Sequence, residues 1–405
     1  MKTILTLLTL TLIALPATAT PPPPCVAITG AQVLTPRGLE KGLTVVIAGE
    51  GIRDVGKKPA TAGCKTIKGA GKVLTPGLID AFTHLGLMEI TLESGSGRPN
   101  YAPKGDPKPI RATFLVSDAY NPNSTLIPIA RLGGVTSAVV LPMGGVVSGR
   151  AAYVELTGRT QRRAVRRAPV GVAVRIGGGK RSRAYALNTL QALLAKTKQY
   201  MLHGARWEKT SSRPLKGRAT WRAMMPVLAK KLPLIVYADR ASDIEALLRI
   251  QKAHGIKLIL AGGAEAWRLG AALAKAKVPV VIDPMLPGPG AFSQIHGLPQ
   301  NAVRLEKAGV TVILSSFSTH NVRKLRQAAG NAVREGLPHA SALHAITSRP
   351  AQALGLTKVG HIARGARANL VLWSGDPLEI GSFPRAIWIG GVAFPGVGLT
   401  ALLGL

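Results

Sequence analysis

Acidic residues are scarce in this chain: 19 Asp and Glu stand against 52 Lys and Arg among 405 residues, giving a formal net charge of +33. Such a charge predicts attraction to an anionic partner, such as nucleic acid, an acidic substrate or an anionic membrane surface, and does not specify a fold. Aromatic residues make up only 4%. The apolar fraction of 46% nevertheless excludes a disordered polybasic chain, and the length suggests two to three domains or one large barrel with an appendage.

Cysteine is almost absent, since Cys25 and Cys64 are the only two. Neither lies in a nucleophile motif, and a Gly-x-Ser-x-Gly elbow is missing, so the sequence offers no recognisable covalent nucleophile. An oxidising compartment favours a disulfide between Cys25 and Cys64, and the alternative is two unrelated buried thiols.

Long apolar runs are also lacking. The run from Ile4 to Leu15 follows Lys2 and precedes Ala17-Thr18-Ala19, an order typical of a secretory signal peptide over residues 1–19. It is shorter than the roughly 20 residues that span a bilayer. We therefore expect an exported, periplasmic bacterial protein that is not transmembrane, and export argues against nucleic acid as a partner.

The remaining sequence divides by its patterning. A proline-rich linker covers 20–24, and residues 25–75 form short strands broken by glycines. From 76 to 357 apolar strands alternate with helices, which predicts a parallel sheet covered by helices. About eight strands favour a barrel. Residues 358–405 return to a β pattern that ends in a tail. We predict an α/β protein in which a TIM-like (β/α)8 barrel is inserted between the two halves of a small β-sandwich.

Three segments carry a family resemblance: Gly71-Lys72-Val73-Leu74-Thr75-Pro76-Gly77-Leu78-Ile79-Asp80-Ala81-Phe82-Thr83-His84-Leu85-Gly86, then 331–350 and 355–379. These segments and their order along the chain resemble those of the amidohydrolase superfamily, most closely those of its exported imidazolonepropionase-like and prolidase-like members. The resemblance implies metal-assisted hydrolysis of C–N bonds at the C-terminal mouth of the barrel. It also implies a His-x-His on strand one, a Lys or acid on strand four and a His on each of strands five and six. An Asp on strand eight would ligate the metal and act as general base.

This sequence departs from that ligand set at nearly every position. The expected ligand positions fall on Phe82, His84, Arg175, Tyr237 and Phe317, and the strand-six position falls on or beside Gly262. The loss on strand eight does not depend on alignment, because no Asp or Glu occurs between Glu306 and Glu335. One ligand cannot hold a hydrolytic zinc ion, which takes three protein ligands. We therefore expect no cofactor, and at most a single weak divalent metal at His84.

Aromatic and polar residues at the predicted mouth are the candidate pocket. Phe82, Tyr237 and Phe317 are expected to fill the former metal pocket, as a dry plug or as stacking walls for a planar ligand, with ordinary barrel packing as the alternative. The polar candidates are His84, Asp239, Arg240, Glu265, Asp283 and His320. Structural roles compete for most of them: a pair between Asp239 and Arg240, helix capping or charging by Glu265 and His320, and a turn at Asp283.

A basic run flanks strand four, where no acidic residue occurs between Glu155 and Glu208. It predicts an anion-binding rim whose candidate residues are Arg175, Lys180, Arg181 and Arg183, and the alternative is a solvated face. Interleaved aromatic residues are missing, which argues against single-stranded nucleic acid.

Two functional hypotheses follow. The first is an exported amidohydrolase-fold protein that is non-catalytic or weakly active and binds a small anionic or planar ligand, or an anionic envelope surface. The alternative is an active amidohydrolase on non-peptide C–N or dipeptide bonds, with a site rebuilt from His84, Asp239, Asp283 and His320. Asp283 and Asp239 are its candidate catalytic carboxylates. A homo-oligomer, or pairing with an active relative, is compatible with both.

Overall fold

The computed structural model describes residues 25–89, 108–158, 160–177, 182–211, 215–285 and 290–396. The predicted signal peptide, the linker and the end of the tail lie outside these ranges. Within them, no helix is both long and apolar enough to cross a membrane.

Eighteen strands form within the described ranges. They are β1 (Cys25–Thr29), β2 (Gln32–Thr35), β3 (Gly38–Glu40), β4 (Thr44–Ala48), β5 (Gly51–Gly56), β6 (Cys64–Lys68), β7 (Val73–Pro76), β8 (Leu78–Thr83), β9 (Val135–Val140), β10 (Val147–Glu155), β11 (Val165–Arg175), β12 (Leu234–Ala238), β13 (Leu258–Gly262), β14 (Val280–Ile282), β15 (Val312–Leu314), β16 (Leu370–Trp373), β17 (Pro384–Ile389) and β18 (Val392–Pro395).

The same part of the chain forms ten α-helices. They are α1 (Leu126–Leu132), α2 (Gln161–Ala164), α3 (Arg183–Thr210), α4 (Arg218–Leu228), α5 (Ala241–His254), α6 (Gly270–Lys275), α7 (Asn301–Lys307), α8 (Leu325–Arg334), α9 (His339–Ala345) and α10 (Ser348–Ala353). Short 3-10 turns accompany them at Val116–Ala119, Ala266–Leu269, Phe292–Gln294 and Asn321–Lys324.

The two β segments at the ends of the chain combine into a sandwich. One sheet has the order β5-β4-β1-β6, and the other has the order β18-β17-β16-β7-β2-β3. Strands β1 and β6 run parallel, so that Cys25 lies directly opposite Cys64, and a disulfide joins the two residues. Between the sheets lies an apolar core that includes Ile47, Leu74 and Trp388. The first and last parts of the chain therefore form one unit.

Between these halves, an eight-stranded sheet runs in the order β15-β14-β13-β12-β11-β10-β9-β8 and curls into a nearly closed barrel. This confirms the predicted TIM-like barrel with a sandwich. It also shows a feature that the sequence pattern did not indicate: β10 is antiparallel to both β9 and β11. The third position of the barrel is therefore filled by a hairpin strand, whereas the other neighbouring pairs run parallel.

Strand alternation gives the barrel two apolar faces. Residues such as Leu234 and Val236 face outward toward the helices, while Ile235 and Ile259 fill the interior, as the two-residue period of a strand requires. Leu354, just after α10, packs into the same interior cluster. The described interior of the barrel is thus a packed core, which leaves space for a site at the ends of the barrel.

The apolar pattern of residues 339–354 predicts one continuous helix, and this prediction is wrong because α9 and α10 are separate. Pro350 lacks an amide hydrogen, and its ring would clash with the carbonyl of Ile346 in one continuous helix. The chain breaks at Thr347, whose φ and ψ are −132° and −84°.

A buried ion pair ties the barrel to the sandwich. The carboxylate of Glu155, at the end of β10, is fully buried. It accepts hydrogen bonds from Arg367 Nη2 at 2.7 Å and from Asn369 Nδ2 at 2.8 Å, and Arg367 Nε donates a second bond to it. Arg367 also donates to Glu50 in the sandwich at 2.7 Å. Charge and hydrogen bonds therefore fix the junction of the two domains.

Candidate functional site

An aromatic cluster closes the C-terminal end of the barrel. Phe82 from β8 stacks on Phe317, which follows β15, with ring centroids 4.6 Å apart and planes 23° apart. Tyr237 from β12 meets both rings at 6.2–6.3 Å, and His84 lies edge-on to Phe82 at 6.2 Å. Phe82, Tyr237 and Phe317 pack against the interior core. The residues at four expected ligand positions are thus brought together, and their rings fill the space between them.

Phe317 is held in an unusual backbone conformation. Its φ of +47° lies in the left-handed region, which is uncommon for a residue other than glycine and costs of order 1–3 kcal/mol. This backbone conformation places the Phe317 ring over Phe82, at the position where the family resemblance implies the strand-eight Asp. Strain of this kind persists only where the surroundings enforce it, and it concentrates at functional sites.

Asp80 closes the seam between the first and last barrel strands. Its carboxylate is fully buried and accepts hydrogen bonds from the hydroxyls of Ser315 and Ser316 and, at 3.1 Å, from the amide of Ser316. Burial raises the pKa of this carboxyl to about 6. Ladder pairing between β8 and β15 is absent from the described sheet order, so these side-chain bonds hold the two strands together.

A cavity of about 120 Å³ opens beside the aromatic cluster. Tyr237 and Phe317 form part of its wall, and Asp239, Asp283 and Gln294 supply polar groups. Gln294 donates to Asp239 Oδ2 at 3.2 Å and lies 3.4 Å from the hydroxyl of Tyr237. We call this space the mouth cavity.

Both carboxylates of the mouth cavity are anchored by backbone amides. Asp239 Oδ1 accepts from Ala264 N at 3.4 Å, and Asp283 Oδ1 accepts from Met285 N at 2.8 Å. Burial raises the pKa of Asp239. Burial, with a contribution from the nearby Asp80, raises the pKa of Asp283 to about 6. The hydrogen bond from the Met285 amide gives Asp283 a structural role in a turn, which was the alternative to a role in the site. Asp283 nevertheless lines the cavity.

Arg175 lies behind the cavity wall. Its guanidinium carbon sits 4.4 Å from the centre of the Tyr237 ring. Burial, together with the charge of Arg175, lowers the pKa of His84. The Nδ1 atom of His84 lies 2.8 Å from the carbonyl oxygen of Leu141. Burial and the charge of Arg175 therefore both favour the neutral form of the His84 ring.

Of the predicted pocket residues, Tyr237 and Phe317 line the mouth cavity. The others do not: Phe82, His84, Arg240, Glu265 and His320. Arg240 is exposed and forms no ion pair with Asp239 within the described residues. Glu265 accepts a hydrogen bond from the amide of Ala241 at 2.9 Å, so it caps the first turn of α5. His320 precedes the 3-10 turn but does not cap it with its side chain, and its buried Nε2 has no partner in the described structure. Arg240 and Glu265 each lie at the start of a helical segment after a strand, and the backbone geometry there directs their side chains away from the mouth cavity.

The predicted anion-binding rim is only partly described. Arg175 stacks on Tyr237, and Arg183 forms an ion pair with Asp243 at 2.8 Å. Lys180 and Arg181 lie outside the described residues. The two arginines that are described therefore have roles inside the fold.

Three residues of the site were not predicted from the sequence: Asp80, Gln294 and Asn301. Asp80 stands within the segment that carries the family resemblance, two residues before Phe82, and that position was its available signal. Asn301 begins α7, is only 4% exposed and lines the mouth cavity. Gln294 comes from a short 3-10 turn, and no local pattern marks it.

The donor set at the mouth does not fit a hydrolytic metal. No cluster of three or more His, Cys, Asp or Glu that could hold an ion occurs within the described ranges. At Gly262, with φ +84°, an added Cβ would lie 2.7 Å from Asp239 Oδ1 and 3.1 Å from the Tyr237 ring. A larger residue at position 262 would therefore have to displace the side chain of Asp239 or Tyr237.

Comparison with known proteins agrees with the fold. The family described as Amidohydrolase family matches residues 307–392. Amidohydrolase tasK of Hapsidospora irregularis is 34% identical over 99 residues, which is 24% of this chain and only 10% of that protein. The chain thus matches about a tenth of the length of this curated relative.

Solved structures extend the likeness over the chain. An amidohydrolase from Thermotoga maritima MSB8 has 25% identity and a TM-score of 0.83, covering 91% of this chain and 99% of that one. A β-aspartyl dipeptidase from Fervidobacterium islandicum AW-1 shares the fold at 17% identity and a TM-score of 0.57, covering 93% and 98%. A prolidase crystallised with N-methylphosphonate-L-proline does so at 15% and 0.57, covering 92% and 100%. By these matches in sequence and fold, the chain belongs to the amidohydrolase superfamily.

Proposed function

We propose that this protein is an exported, periplasmic binding protein on an amidohydrolase fold, which takes a small planar ligand in the mouth cavity and lacks metal-dependent hydrolysis. The observation that carries the proposal is the chemistry of the former ligand positions. Phenylalanine cannot ligate a metal, and a guanidinium cannot replace a bridging carboxylated lysine. Of the expected set, His84 alone keeps a suitable donor.

The aromatic cluster supports the ligand-binding half of the proposal. Phe82 and Phe317 are stacked, which supports rings in place of a metal at these two positions. Tyr237 and Phe317 also border the mouth cavity, where they offer apolar ring surface beside polar groups. A concave site with apolar walls and a few convergent polar groups is the usual form of a small-molecule site. The strained backbone at Phe317 supports a selected position for that ring.

The wider basic surface is a second part of this proposal. A net charge of +33 would attract an exported protein to an anionic envelope surface, an interaction that weakens as salt is raised. This attraction does not involve the mouth cavity.

Metal analysis of the purified full chain tests whether the protein lacks metal-dependent hydrolysis. We expect zinc, nickel and manganese well below one ion per chain, and no hydrolysis of N-acyl amino acid or dipeptide substrates when these ions are added. His84→Ala should leave both results unchanged. One tightly held ion per chain that is lost in His84→Ala would overturn the proposal and restore the active-hydrolase alternative.

A comparison of planar and non-planar ligands tests whether the mouth cavity binds a planar ligand. Benzamide and cyclohexanecarboxamide differ mainly in the flatness of the ring, so isothermal titration should show tighter binding of benzamide. Phe317→Leu should abolish that preference. Phe394→Leu, in the sandwich strand β18, is the matched control and should preserve it. Equal binding of the two amides would show that the rings do not form the site.

A further inference from the structure

The polar groups of the mouth cavity are rich in hydrogen-bond acceptors. Asp283 uses one oxygen for a backbone amide, and its second oxygen accepts no hydrogen bond from the described residues. Asn301 donates its amide to the carbonyl of Gly263 at 2.9 Å, while its buried Oδ1 has no partner there. Asp239 adds a third acceptor to the same wall. An unpaired buried acceptor costs free energy, so the cavity favours a ligand that supplies N–H donors.

The charge of the cavity has the opposite sign to that of the whole protein. Arg175 is the cation that acts on Asp239, and it lies against the Tyr237 ring. Asp283 forms no ion pair within the described part of the chain, and the charged group acting on it is another acid, Asp80. Asp239 and Asp283 therefore face the cavity against one fixed cation. A chain of net charge +33 thus has a locally anionic cavity.

The walls and size of the cavity select a flat molecule. Ring surface from Tyr237 and Phe317 borders it, and aromatic rings attract cations as well as other rings. An apolar cavity of roughly 150 Å³ admits benzene, so a volume of about 120 Å³ suits a single ring or a group of similar size.

We propose that the mouth cavity binds a flat cation whose N–H groups donate to Asp239, Asp283 and Asn301, such as an amidinium, a guanidinium or a protonated aminoheterocycle. The inference rests on the ligand-binding function proposed above and specifies its ligand class. It assigns Asp283 as the counter-charge and Asn301 as the neutral acceptor.

Three probes of nearly equal shape test the charge: benzamidine, benzamide and benzoate. We expect the full chain to bind benzamidine at least about tenfold more tightly than benzamide, which is the scale of one hydrogen bond to a charged group, and benzoate less tightly than benzamide. Asp283→Asn should remove most of the benzamidine advantage and lower the affinity for benzamide far less. Glu379→Gln removes an exposed carboxylate that does not line the cavity and should change neither affinity.

The outcomes separate this inference from the proposed function. Benzamide bound as tightly as benzamidine, or benzoate bound most tightly, would overturn the cation assignment while the ring-dependent site stands. An equal loss of benzamidine and benzamide affinity in Asp283→Asn would also overturn it, because the residue would then be structural. Failure of all three probes to bind, together with one tightly held metal ion per chain, would overturn both.

Discussion

Asp80 should make the stability of this protein fall as pH rises. Its carboxyl is fully buried, and its pKa rises from the ordinary 3.8 to about 6. The folded state therefore holds a proton that the unfolded state releases between these two values. Stability is fully present below pH 3.8 and is lost as pH rises through 6, by about 3 kcal/mol at roughly 1.4 kcal/mol for each pKa unit.

Asp80→Asn isolates this effect. The asparagine oxygen can keep the bonds from Ser315 and from the amide of Ser316. Its new amide can donate to the hydroxyl of Ser316, whose proton can turn toward the carbonyl of Ser318 at 3.4 Å. The variant therefore removes the buried charge with little change in packing. Relative to the wild type, it should gain about 3 kcal/mol between pH 3.5 and pH 8.

Urea unfolding at both pH values, followed by circular dichroism, measures the difference in unfolding free energy between Asp80→Asn and the wild type. Glu379→Gln is the control for the loss of one exposed carboxylate. A wild-type-to-Asp80→Asn difference that stays constant across this pH range would refute the reasoning, because it would mean that Asp80 titrates alike in the folded and unfolded chains.

Two further predictions concern the framework. Glu155→Gln should destabilise the protein by about 3 kcal/mol in the same urea assay, because it leaves Arg367 at a junction built for a buried pair. Glu50→Gln, which removes the exposed partner of the same arginine, should cost less than about 1 kcal/mol, and equal losses would contradict the assigned burial. Replacing both Cys25 and Cys64 with serine removes a cross-link between residues with a sequence separation of 39. From the chain-entropy relation, we expect the free energy of unfolding to fall by about 4 kcal/mol. An unchanged urea midpoint of the double variant would show that the disulfide does not constrain the unfolded chain.

The order of sandwich, barrel and sandwich could be read from the sequence because each part has a distinct local period. Short glycine-broken strands mark the ends, and apolar strands alternating with helices mark the middle. Strand β10 was not predicted, since its antiparallel direction depends on pairing with β9 and β11 rather than on its own residues. The sequence pattern predicts a single helix in place of α9 and α10, because a proline in the first turn of a helix leaves the apolar period nearly intact.

The candidate site was predictable only in part. Phe82, Tyr237 and Phe317 could be placed at the mouth because each occupies the end of a strand that the family resemblance aligns. Arg240 and Glu265 also follow strands, yet their side chains turn away, since a residue at the start of a helix can point along it or toward a neighbouring helix terminus. Local sequence does not determine that choice.

The sequence by itself determined which residue types occupy the positions where the family resemblance implies metal ligands, and therefore that a phenylalanine at two of them cannot bind a metal. It also determined the scarcity of acids. Only the tertiary structure decided where these acids lie: Asp80 in the barrel seam, and Asp239 and Asp283 around one cavity. The physical reason is that barrel closure brings the ends of distant strands together, and it turns a sparse set of carboxylates in a basic chain into a local anionic site.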